Sequence, residues 1–196
     1  MKTKKCDIAA LSFVRNEAAF YEAKLQVDQR KKLGQFFTGL PLARILAALS
    51  TRKNCRTVID PMAGTGDLLD AVIERCEISE IPLTQVDAIE IDVPTAEMCE
   101  KRLLPWLGIV PNIRQQIHIG SAFDPGVLSK QRAGSYDLVI TNPPYVRYQT
   151  ISRNGRIHNR RSRDDIRYSL LEMIQGRVPS EEQVIWQELI GGFSGL

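Results

Sequence analysis

Between residues 7 and 31, Leu11, Val14, Phe20 and Leu25 recur at helical spacing among charged positions and predict an amphipathic helix. The pattern breaks at "KKLGQFFTGLP" and resumes as a short helix over "LARILAALS". The period then shortens. Thr57-Val58-Ile59 reads as a strand stopping at Asp60-Pro61, and "GDLLDAVIERC" as a helix turning Leu68, Leu69, Val72 and Ile73 to a core. "VDAIEID", residues 86 to 92, is a second strand. Asp92 is placed to cap the helix "VPTAEMCEKRLLPWLG", whose Pro94 lies in the first turn, where its missing N–H leaves no bond unmade, and Pro105 ends or kinks that helix. "IRQQIHIG" supplies a third strand and "YDLVIT" a fourth, apolar and β-branched enough to read as buried. Strands alternating with helices predict an α/β fold with a mostly parallel sheet. Further on, "RDDIRYSLLEMIQG" and "SEEQVIWQELIGG" read as helices, the latter with Ser180 and Gln183 as a capping box.

A chain of 196 residues, 43% of them hydrophobic, suits one core with an appendage. No stretch approaches the roughly 20 apolar residues that cross a bilayer, and the basic start lacks the apolar core of a signal peptide, so a cytoplasmic location and no membrane partner are expected. Cys6, Cys55, Cys76 and Cys99 stand far apart without metal spacing, and His118 and His158 are the only histidines, so no metal site is expected. A net charge of +3 is too small to imply nucleic acid, but its distribution is uneven. Arg147, Arg153, Arg156, Arg160, Arg161, Arg163 and Arg167 are opposed locally only by Asp164 and Asp165. Such a cluster neutralises phosphates or forms a solvated loop.

Two segments carry candidate chemistry. In "DPMAGTGDLL", Gly64 and Gly66 occupy the turn after the first strand, where glycine permits positive φ and close approach of a ligand. Many α/β turns hold two glycines for steric reasons alone. Glu90, at the end of the second strand, stands where an acidic side chain can accept from ribose hydroxyls, or it is a surface glutamate. The third glycine of the nicotinamide pattern is missing, which favours a different nucleoside. In "TNPPYVRY", Asn142 and the carbonyl of Pro143 are two acceptors stiffened by Pro143 and Pro144, and Tyr145 offers a flat face. Two fixed acceptors suit an amine with two hydrogens on a planar ring. An exocyclic purine amine is a poor nucleophile, so acceptors that draw its lone pair toward tetrahedral geometry replace a strong general base.

Together and in this order, "GQFFT", "DPMAGTG", "AIEID" and "NPPYVRY" resemble the S-adenosylmethionine-dependent adenine-N6 DNA methyltransferases of the gamma arrangement. The likeness is greatest to type II restriction-modification enzymes that fuse methyltransferase and endonuclease, and it covers roughly residues 30 to 148. It implies an incomplete Rossmann-like class I fold of four strands and S-adenosylmethionine as cofactor. Thr38 would contact the methionine carboxylate; Asp60, Gly64 and Gly66 would line the methionine; Glu90 would hold the ribose, with Ile91 on the adenine and Ser121 at its amine. Asn142, Pro143, Pro144 and Tyr145 would form the catalytic turn, acting on an adenine flipped from double-stranded DNA. Arg147, Arg153, Arg160 and Arg161 would lie near phosphates.

Gly39 stands where that family usually has proline, and Ser121 where an acidic residue is common. The expected layout is a helical segment over residues 1–33, a partial catalytic core over 34–148, and a basic loop with helices over 149–196. The chain reads as an amino-terminal fragment whose partner is a missing carboxyl-terminal half or target-recognition domain. Alternatives are an RNA adenine or protein glutamine methyltransferase, and an inactive cofactor- or DNA-binding fragment; "GQFFT" disfavours the glutamine enzymes.

Overall fold

The structure, a computed structural model, describes residues 2–25, 37–128 and 134–143. Two compact units divide the chain, one of residues 1–121 with 134–148 and one of residues 122–133 with 149–196. The first holds helices α1 (Lys2–Lys24), α2 (Leu40–Ser50), α3 (Asp67–Ile78), α4 (Val93–Leu103) and α5 (Trp106–Ile109). Its strands are β1 (Thr57–Asp60), β2 (Gln85–Glu90), β3 (Arg114–Ile119) and β4 (Leu138–Val139). In the second unit the described residues form one turn, α6 (Pro125–Leu128). The predicted helices beyond residue 148 lie outside the described residues.

The four strands run parallel in the order β3-β2-β1-β4. From β1 the chain steps outward through α3 to β2 and through α4 to β3, then returns to the other side of β1. Strand order therefore reverses between β1 and β4. In open α/β sheets the loops diverge there, leaving a crevice beyond the strands' carboxyl ends.

Local chemistry explains the boundaries. Asp92 caps α4 as expected, its carboxylate accepting from the Thr95 N–H at 3.1 Å. Pro105 separates α4 from α5. Leu68, Leu69, Val72 and Ile73 of α3 are buried against Val58, Val86 and Ala88 of the sheet. β4 departs from its prediction as a buried strand. It lies at one edge of the four, and Val139, on the opposite face from Leu138 and Ile140, is 62% exposed.

The first helix also departs from its pattern. It begins at Lys2, not near residue 7, and residues 26–36 are outside the described range. Leu11 and Ala18 are buried, whereas Phe20 is 61% exposed. Polar side chains on the Leu11–Ala18 face supply the attachment. Arg15 donates from Nε and Nη2 to both oxygens of the fully buried Asp70, at 2.9 and 2.8 Å. Asp70 also accepts from Trp106 Nε1 at 2.9 Å. Arg15→Ala leaves that carboxylate buried without its cation, an expected loss of roughly 3 kcal/mol. Chemical denaturation would measure it, and Arg15→Lys, lacking the two-pronged geometry, should restore only part.

Candidate active site

A cleft opens at the reversal point, lined by Thr38, Asp60, Gly64, Thr65, Asp67 and Asn142, with Phe37, Met62, Ala63 and Leu68 completing the wall. Its enclosed part is narrow, about 30 Å³. Four residues singled out in the sequence thus meet from three distant segments: Thr38, Asp60, Gly64 and Asn142.

Both glycines of the turn are left-handed, Gly64 at φ +56° and Gly66 at φ +86°. Their surroundings differ. A Cβ on Gly64 would meet only the Phe37 ring, at 3.6 Å, whereas one on Gly66 would lie 2.9 Å from the Cys99 sulfur. Gly64 is therefore open toward the cleft, and Gly66 is a packing point between the turn and α4.

Glu90 is buried and holds the turn from behind, accepting from the Gly64 N–H through Oε2 and the Asp92 N–H through Oε1, each at 2.9 Å. The Ile91 N–H also favours its ionised form, and Glu90 is not among the residues that line the cleft. Ile91, next in chain, is 63% exposed, and Ser121 follows β3 half-buried. Pro143 is exposed; Pro144, Tyr145, Arg147, Arg153, Arg160 and Arg161 lie outside the described residues.

Asp67 was not foreseen. As the first residue of α3 it pairs with the buried Arg102 and accepts from the Gly39 N–H at 2.9 Å. This explains the glycine where the resembled family has proline. Gly39 sits at φ +73° and donates its N–H, and proline can do neither. Glu22 of α1 accepts from Thr65 in the glycine turn and faces Arg102 at 3.8 Å, so the first helix reaches the turn itself. An acidic residue directly after the second glycine was the one available signal.

Burial pushes the Asp60 carboxyl up to about 7, against hydrogen bonds from Met62 and Thr141 that favour ionisation. Glu90 moves the same way, burial again outweighing its N–H donors. A carboxyl raised on folding stabilises the fold while protonated, and this contribution is lost as pH rises through the folded value. For Asp60 the loss between about pH 4 and 7 is on the order of 4 kcal/mol. Thermal unfolding across this range should show stability falling more steeply in wild type than in Asp60→Asn; in the variant Glu90 still acts in the same direction, while Glu74 and Asp137, whose carboxyls are held low, act in the opposite one.

A family model described as N-6 DNA Methylase matches residues 19–181. The chain is 27% identical over 143 residues to a tRNA1(Val) (adenine(37)-N6)-methyltransferase of Serratia proteamaculans, covering 72% of this chain and 48% of that protein. It is 28% identical over 128 residues to the Type II methyltransferase M.HincII of Haemophilus influenzae, covering 64% and 20%. A release factor glutamine methyltransferase of Bifidobacterium longum is 37% identical over 91 residues, covering 45% and 29%. The chain thus spans about half or less of these relatives. Among solved structures, a type I restriction-modification methyltransferase subunit from Streptococcus thermophilus superposes with a TM-score of 0.48 at 20% identity, over 86% of this chain and 34% of that one. With the family model covering most of its length, the chain belongs to the N-6 DNA methylase family of S-adenosylmethionine-dependent methyltransferases.

Proposed function

We propose that this chain is the cofactor-binding and catalytic segment of a DNA adenine-N6 methyltransferase of a restriction-modification or related defence system, with residues 34–148 as its core. One observation carries the reading: Asn142, at the carboxyl end of β4, lines the same cleft as Gly64 and is bonded to Thr38. A methyl donor and an amine acceptor would thereby be brought to one place.

The residues fit the cofactor. S-adenosylmethionine carries a sulfonium and an ammonium, and Asp60 faces the cleft while Glu90 backs its turn. Bound, it supplies an electrophilic methyl group. Thr38 would meet the methionine carboxylate, Asp60 and the backbone at Gly64 its ammonium end, Glu90 the ribose hydroxyls, Ile91 the adenine face and Ser121 the adenine amine. Asn142 Oδ1 and the Pro143 carbonyl would accept the two hydrogens of the target amine. Positive charge developing on that nitrogen is then stabilised by acceptors already in position, with no reorganisation needed at the moment of reaction. Tyr145 would stack on the flipped base, and Arg147, Arg153, Arg160 and Arg161 would neutralise phosphates.

RNA adenine is the second reading, favoured by the tRNA methyltransferase match over 72% of the chain. Incubation with S-adenosylmethionine labelled in its methyl group, offered duplex DNA, transcribed RNA and a glutamine peptide, separates these readings. N6-methyladenine recovered from the DNA supports the proposal; label in RNA or peptide alone overturns it. Cofactor binding without transfer to any of the three indicates an inactive segment.

A further inference from the structure

The segment leading to Asn142 is pinned on two sides. The Ile140 N–H donates to the Ile59 carbonyl at 3.0 Å, and the Thr141 side chain bonds the buried Asp60. With its backbone anchored, Asn142 keeps chiefly its side-chain torsions, of which the second is broad for a carboxamide. Thr38 addresses that freedom from 104 residues away, its Oγ1 accepting from Asn142 Nδ2 at 3.1 Å. A carboxamide held by its nitrogen has its oxygen turned to a defined side.

We propose that Thr38 is a positioning residue for Asn142, and that occupancy of the cleft lined by both is transmitted through the Thr38 hydroxyl to the target acceptor. The inference rests on the cofactor reading above. A hydroxyl that accepts from Asn142 directs its own proton elsewhere. When that proton meets an anionic acceptor in the cleft, the hydroxyl oxygen becomes a stronger acceptor, and a more polarised carboxamide has a more negative oxygen. Filling the cleft would thus strengthen the bond between Thr38 and Asn142, favouring cofactor before target.

The side-chain amide signals of Asn142 in nitrogen-15 NMR, assigned by their disappearance in Asn142→Asp, test this, with calorimetry reporting binding of S-adenosylhomocysteine to the same samples. Wild type and Thr38→Ser should show a downfield shift of the Nδ2 protons on binding. Thr38→Val, close in shape but without the hydroxyl that would meet the carboxylate, should bind more weakly and, at saturating S-adenosylhomocysteine, show no such shift. An equal shift in Thr38→Val overturns the coupling, as does wild type that binds with no shift. Wild type that does not bind at all overturns the cofactor reading and the coupling with it.

Discussion

Asn142→Ala should lower methyl transfer by about two to three orders of magnitude, the usual cost of removing one preorganised group that stabilises developing charge. Cofactor affinity should change by only a few fold. Asn142 reaches the cleft from β4, whereas the proposed cofactor contacts come from β1, the glycine turn, β2 and Thr38. Single-turnover transfer at saturating cofactor, compared with calorimetric affinity, separates the two quantities. A parallel fall in both would mean that Asn142 serves the cofactor rather than the target. Asn142→Asp is the sharper variant: its shape is retained, but the carboxylate can only accept, so the direction of the bond to Thr38 must reverse and the Thr38 proton is drawn away from the cleft.

Gly66→Ala should destabilise the fold by about 3 kcal/mol, combining left-handed strain with overpacking. At φ +86° any Cβ is strained, and here it would also stand 2.9 Å from the fully buried Cys99 sulfur. Gly64→Ala should cost only about 1 kcal/mol, the strain alone, since its Cβ would meet the Phe37 ring at an ordinary 3.6 Å. A double-mutant cycle with Cys99→Ala isolates the contact. Removing the sulfur leaves the nearest Cys99 atoms at 3.6 and 3.7 Å, so Gly66→Ala should be cheaper in the Cys99→Ala background. Denaturation midpoints of the four proteins check this; additive losses would show that backbone strain, not the α4 contact, sets the requirement for glycine. Because the turn carries Thr65 and leads directly into Asp67, its displacement should weaken cofactor affinity as well.

The two glycines illustrate how much a sequence discloses. "DPMAGTGDLL" announced a turn needing positive φ, and both residues have it. Which glycine is open to a ligand and which is packed depended on Cys99, more than thirty positions away, and no local signal distinguishes them. The same division separates α4 from α1. Asp92, Pro94 and Pro105 act within a turn of their own positions, so the start and break of α4 were legible. The first helix was recognised as a helix, but its buried face was misread, because Arg15 and Glu22 attach it through ion pairs and hydrogen bonds to Asp70, Arg102 and Thr65. A charged residue reads as solvent-facing until its buried partner is known.

The sequence by itself determined the order of the described strands and helices as far as β4, the glycine turn and the Asp92 cap, since periodicity and turn chemistry act over a few residues. Only the tertiary structure decided that Asn142 and Thr38 share a hydrogen bond, that Asp67 ties Gly39 to Arg102, and that Glu90 braces the turn it faces. The physical reason is that β1 and β4 become neighbours only when the chain reverses direction across the sheet. That reversal brings Asn142 to the cleft, and the other two contacts join loops at the same end of the sheet; in each case the separation along the chain says nothing about the distance.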